Sequence, residues 1–145
     1  MVTAFLLDVS LLIALADEKH VANTKVRQWF LGLNGKPWAT CAITQAGFVR
    51  IASNPRFLTP PIALWEAMEL LTRLTRRPDH RFWTTDIALA EAVQSLQERL
   101  FSHRQVTDAY LLGLAIKHNG RLVTLDRGIE VLAGKEFAQH VLLLH

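Results

Sequence analysis

Cys41 is the chain's one cysteine. A disulfide framework and a cysteine-based zinc site within one chain are therefore excluded, and a reducing cytoplasm is the expected compartment. Long apolar runs are also missing. None approaches the roughly 20 residues of a membrane-spanning helix, so no membrane association is expected. The start, Met1-Val2-Thr3, lacks a basic segment and Asp8 interrupts the first apolar run, which argues against a secretory signal. No two of the six histidines (His20, His80, His103, His118, His140, His145) have zinc-ligand spacing on one helix. They are read mostly as surface residues. Internal repeats, low-complexity stretches and linkers are absent, so residues 1–145 are expected to form one domain.

What the chain has in quantity is apolar side chain. Half of its 145 residues are hydrophobic and the formal net charge is only +3, with a pI near 9.4 and a mean hydropathy of +0.18. A mildly basic domain is compatible with a polyanion partner. The apolar excess suggests that some surface is kept for a partner or a second copy. The helical pair within Leu11–Leu31 and the helix Ile62–Leu74 are the candidate surfaces.

The chain is organised around Ala4-Phe5-Leu6-Leu7-Asp8. A short continuous apolar run ending on a polar residue reads as a buried parallel strand. Asp8 then stands at the strand's C-terminal end, where open α/β sheets place their ligand crevice. Arg121-Leu122-Val123-Thr124-Leu125-Asp126 repeats this grammar. Between the two lie further elements. Ser10 is placed to cap a helix over Leu11–Ala16, and His20–Leu31 has amphipathic spacing. A turn follows at Gly32–Pro37, then a strand at Trp38–Ala42. Thr44 can cap a helix from Gln45 to Ala52, which Asn54-Pro55 ends. Pro60-Pro61 precedes the Ile62–Thr75 helix, whose apolar stripe is Leu64, Met68, Leu71 and Leu74. A short strand is predicted at Arg81–Trp83, a helix capped by Asp86 to Leu96, and a helix over Asp108–Lys117 capped by Thr107 and stopped at Asn119-Gly120. A short helix at Ile129–Leu132 and a strand at Val141–Leu144 close the series. Alternating strands and helices predict an α/β fold with a largely parallel sheet. Trp29, Trp38, Trp65, Trp83 and Tyr110 are assigned to the core.

Three carboxylates stand out by position. Asp8 and Asp126 end strands, and Asp108 opens a helix. Each has a plainer reading alone: Asp108 suits a helix N-terminus, and Asp126 before Arg127-Gly128 suits a turn. Together they suggest a cage of hard oxygen ligands for Mg²⁺ or Mn²⁺. Such an ion can activate water and stabilise a phosphoryl transition state. Two other phosphoryl-transfer classes fit less well. Asp8-Val9-Ser10 lacks the second aspartate of a haloacid-dehalogenase-like D-x-D. Neither the acidic pair nor the late lysine of a receiver domain is evident.

The chain resembles the PIN-domain nucleases and, within them, the VapC-like toxins of toxin–antitoxin modules. The resemblance is carried by Phe5 to Leu15, by Thr40 to Pro55 (TCAITQAGFVRIASNP), by Arg104 to Leu112 (RQVTDAYLL) and by Arg121 to Arg127. It implies a three-layer α/β/α domain with four to five strands. It implies a Mg²⁺- or Mn²⁺-dependent endoribonuclease acting on structured RNA such as tRNA or rRNA. It also implies a homodimer neutralised by a small VapB-like antitoxin. Asp8, Asp108 and Asp126 fall on the family's acidic positions, and Ser10 and Thr107 beside them. The family's usual glutamate after the second strand is here Gln45, which follows Thr44. A glutamine carbonyl can accept a hydrogen bond or bind a cation weakly, but it carries no charge. The expectation is weaker metal binding and lower activity, or, as the alternative, an inactive RNA- or antitoxin-binding protein. Arg50 and Arg104, near these segments, are the expected RNA contacts. Arg73, Arg76 and Arg77 are read as a solvated helix face.

Overall fold

The computed structural model describes residues 2–57, 60, 62–100 and 102–145. They form a five-stranded sheet: β1 (Phe5–Leu7), β2 (Trp38–Cys41), β3 (His80–Trp83), β4 (Arg121–Thr124) and β5 (Val141–Leu143). The spatial order is β3-β2-β1-β4-β5 and every pairing is parallel. The first strand is thus the central one. Parallel strands need long crossovers, and helices supply them here on both faces of the sheet.

Side chains alternate across the pleat. Leu7, Trp38 and Val123 pack against α1 (Val9–Ala16), α2 (Asn23–Leu31), α3 (Ala42–Ala52) and α4 (Leu64–Thr75). Leu6, Ala39, Cys41 and Leu122 pack on the other face against α5 (Leu89–Val93), α6 (Val106–Lys117) and α7 (Arg127–Ala133). The predicted α/β/α layering is therefore observed. Two glycines let layers approach closely. A Cβ at Gly47 would lie 2.5 Å from a Val9 methyl, and one at Gly113 would lie 2.1 Å from the Ala92 carbonyl oxygen.

Several helix starts differ from the expectation, each because another group makes the cap. Asp8, not Ser10, caps α1: its carboxylate accepts from the Leu11 N–H at 2.8 Å. Helix α2 begins at Asn23, not His20. His20 instead uses its ring Nδ1 to accept from the Ala22 N–H at 3.0 Å. Helix α3 starts directly after β2, so Thr44 is its third residue, and its hydroxyl accepts from the Cys41 N–H at 3.0 Å. Helix α6 starts at Val106 after a 3₁₀ turn at His103–Gln105 capped by Ser102. Thr107 is therefore inside the helix. Asp86 caps nothing; the short α5 has Ala88 at its N-cap and continues as a 3₁₀ segment, Gln94–Arg99. Pro61, expected before α4, lies outside the described residues.

Some side chains also sit differently. Trp38 and Trp83 are buried, but Trp65 is 68% exposed. Of the expected α4 stripe, Leu71 is buried but Leu64 and Met68 are 62% and 50% exposed, and Ala67, outside the stripe, is buried. The histidines are less superficial than expected. His140 is buried and contacts the Gly120 carbonyl at 2.8 Å. His118 stacks on Trp83 at 4.2 Å, and His80 is half-buried against Trp38.

Candidate active site

The strand order reverses direction between β1 and β4. Ligands of open α/β sheets bind at such a switch point, beyond the carboxyl ends of the strands. Asp8 follows β1 there, and Asp126 follows β4 by two residues. The two strands are registered Phe5↔Arg121, Leu6↔Leu122 and Leu7↔Val123. The Asp8 N–H extends that ladder to the Val123 carbonyl at 3.2 Å.

Asp8 is 5% exposed. Burial pushes its carboxyl above the usual carboxylate range, against hydrogen bonds from Thr124, Leu11 and Ser10, and the nearby Asp126 charge pushes the same way. The Ser10 hydroxyl donates to Asp8 Oδ1 at 2.8 Å. Ser10, expected as the cap, instead bonds the residue that caps. Asp126 is exposed and caps α7, accepting from the Gly128 N–H at 2.8 Å. Its own N–H donates to Thr124 Oγ1 at 3.0 Å. Thr124 therefore ties the two acidic residues together, one through its contact with the Asp8 carboxylate and one through the Asp126 backbone. Sequence reasoning passed over Thr124. A hydroxyl inside the apolar run RLVTLD was its signal.

Asp108 is the third residue of α6 and is partly buried. Its carboxyl is pushed up to about 6, first by burial and then by the charges of Asp8 and Asp126. The charges of Asp8 and Asp126 thus both reach Asp108. As placed, no three His, Cys, Asp or Glu side chains among the described residues form a group tight enough to hold an ion. In chemistry the donor set fits a hard divalent cation: all oxygen, excess negative charge, partial desolvation. Asp8, Asp108 and Asp126 are the residues that could hold one.

Gln45 lies in the first turns of α3, after β2, and is partly buried. Its Nε2 donates to Thr40 Oγ1 at 3.0 Å, and Thr40 Oγ1 lies 2.7 Å from His80 Nε2. Thr44 uses its hydroxyl within the β2–α3 junction, donating to the Cys41 carbonyl at 3.1 Å. Thr107 is exposed at the second position of α6. Arg50 is exposed and lines, with Gln45, Ala46, Leu64 and Met68, a cleft of about 600 Å³. Arg104 is exposed in the 3₁₀ turn that leads into the Asp108 helix. A second groove of about 620 Å³ runs between α1, α2 and α4, lined by Leu15, Phe30, Phe48, Leu74 and the cations Arg27 and Arg73. Of the three arginines read as a solvated face, Arg77 is more engaged than expected. It pairs with Asp79 at 3.0 Å and lies over the Phe30 ring.

Comparison with known proteins agrees with this geometry. A family model described as PIN domain matches residues 5–135. Ribonuclease VapC44 of Mycobacterium tuberculosis is 45% identical over 128 residues, covering 88% of this chain and 89% of that protein. Ribonuclease VapC38 of the same organism is 41% identical over 128 residues, with the same coverage of each chain. Ribonuclease VapC29, again from M. tuberculosis, is 33% identical over 129 residues, covering 89% and 90%.

Proposed function

The chain belongs to the PIN domain family and, within it, to the VapC ribonucleases, and from that premise we propose that it is a divalent-metal-dependent endoribonuclease toxin. The single observation that supports this is that Asp8 and Asp126 follow the neighbouring strands β1 and β4 at the switch point, with Asp108 near enough for both charges to act on it. A bound Mg²⁺ or Mn²⁺ would neutralise phosphate charge and make water a better nucleophile.

The protein's own groups do the rest. The buried Asp8 is held by Ser10, Leu11 and Thr124, so its orientation is fixed before substrate arrives. Asp108 and Asp126 enter from a helix start and a helix cap, both more open to solvent. Arg50 and Arg104 are exposed, where they can meet phosphates of the RNA backbone. Structured RNA, tRNA or rRNA, is the expected substrate. Gln45 places a neutral amide where a fourth carboxylate would add charge, so we expect slower cleavage than a glutamate would give.

The partners follow from the exposed apolar surface. Leu64, Trp65 and Met68 on α4 and Leu31 on α2 stand largely in solvent. Together with the groove between α1, α2 and α4 they support a seat for a small VapB-like antitoxin and a homodimer contact. Residues 1–145 act as one nuclease domain in this reading. No helix among the described residues is long and apolar enough to cross a membrane.

The test is cleavage of total tRNA and rRNA with Mn²⁺, with EDTA, and with Asp8→Asn or Asp126→Asn. Cleavage that needs the ion and both aspartates is expected. Cleavage that persists in EDTA or in both variants would refute the proposal.

A further inference from the structure

A polar string runs from Gln45 through Thr40 to His80. Thr40 has no solvent exposure and sits on β2, yet its hydroxyl touches two side chains, Gln45 at 3.0 Å and His80 at 2.7 Å. We propose that Thr40 and His80 are positioning residues, which tie down the NH₂ end of the Gln45 amide and leave its carbonyl oxygen for the cation of the acidic site. This rests on the nuclease reading and assigns its neutral corner a defined polarity.

Donors and acceptors set the polarity of the string. Gln45 Nε2 can only donate, so Thr40 Oγ1 accepts there. Thr40 is fully buried and, among the described residues, His80 Nε2 is the one other group at its hydroxyl, so the hydroxyl proton is satisfied only if Nε2 is a bare, accepting nitrogen. Burial favours that neutral ring by holding the His80 imidazole below its usual range. Arg81 acts the same way, and the Thr75 carbonyl and Asp79 oppose it. The ring is also fixed sterically against Trp38, with centroids 4.7 Å apart. A neutral amide has two opposite ends, and only the oxygen end is useful to a cation. A carboxylate at position 45 would need no such sorting. It would instead force the string to reverse, because it can only accept: Thr40 would donate to it and His80 Nε2–H would donate to Thr40.

The deciding measurement is heteronuclear NMR of the His80 ring nitrogens in the unloaded protein. The wild type is expected to carry its ring proton on Nδ1, and Gln45→Glu to move a proton to Nε2. A protonated Nε2 in the wild type, or a ring indifferent to Gln45→Glu, overturns the proposal; a merely structural histidine would show that indifference. Calorimetric titration with Mn²⁺ supplies the second arm. Thr40→Val should weaken the ion about tenfold, the scale of losing an outer-sphere partner, whereas Thr40→Ser should stay within about twofold. In a Gln45→Ala background Thr40→Val should cost nothing more. An equal loss in both backgrounds defeats the positioning role while leaving the nuclease intact. A wild type that neither binds Mn²⁺ nor cleaves RNA defeats the nuclease reading itself, and the ion-facing role with it.

Discussion

Asp108→Asn should make the metal-free protein more stable at neutral pH. The Asp108 carboxyl is pushed from 3.8 to about 6 by burial and by the charges of Asp8 and Asp126. At about 1.4 kcal/mol per factor of ten, holding it ionised costs the fold roughly 3 kcal/mol. Solvent screening of this partly exposed group lowers that to about 1–2 kcal/mol. A negative charge in the first turn of α6 is favourable by roughly 0.3–1 kcal/mol, which the asparagine forfeits. The net expectation is a gain of about 1 kcal/mol at pH 7.5, or roughly 2–4 °C in melting temperature. The sign follows from linkage. A carboxyl raised in the folded state contributes stability that is whole below its unfolded value and is lost as pH rises through about 6. The advantage of the variant should therefore fade between pH 7.5 and pH 4. Urea melts of both proteins in EDTA at the two pH values measure it. A variant less stable at pH 7.5, or an advantage independent of pH, would refute the carboxylate-repulsion account. Saturating Mn²⁺ should reverse the ranking, since an ion that binds only the folded state stabilises the wild type by mass action.

Four further outcomes are expected. Gln45→Glu should bind Mn²⁺ more tightly and cleave RNA faster, read by calorimetry and a gel assay; no gain sinks the idea that position 45 limits activity. Thr124→Val should cost about 1–2 kcal/mol in urea melts by removing a buried hydroxyl between Asp8 and Asp126, and should slow cleavage. Met68→Glu, on the exposed side of α4, should leave stability within about 0.5 kcal/mol but weaken antitoxin binding in a pull-down. Gly113→Ala should destabilise by about 2 kcal/mol or more, because its Cβ would meet the Ala92 backbone oxygen at 2.1 Å.

The strands, Asp8 and Asp126 were legible in the sequence for one reason, and Asp108 by its place at a helix start. Strands buried on both faces of a parallel sheet must be apolar throughout, so a carboxylate at the end of such a run stands out. Helix starts were harder to place. Asp8 and Ser10 can both cap, and the choice depends on which oxygen reaches the Leu11 N–H. Thr44 reads as a cap, yet serves from inside the first turn. Thr107 lost its place to a 3₁₀ turn that no periodicity announces. The α4 helix was read as an apolar stripe offered to a partner, but which residues it buries was not legible: Ala67 is buried where Met68 is exposed, and small residues leave little periodic signal. Thr40 and His80 were missed because they meet across a long stretch of sequence, and Thr124 because the Asp8 carboxylate it contacts stands near the other end of the chain. Thr40 meets His80 only because β2 and β3 lie side by side, paired Trp38↔His80 and Thr40↔Phe82.

The central position of β1 has a consequence for synthesis. Its partner on one side, β4, is made last but one: Phe5 waits for Arg121. A nascent chain on the ribosome therefore carries Asp8 long before it carries Asp108 or Asp126. Contacts this far apart in sequence form late and slowly. Asp8, Asp108 and Asp126 cannot come together until translation has passed residue 126, so the chemistry proposed for that cluster would be withheld from every unfinished copy.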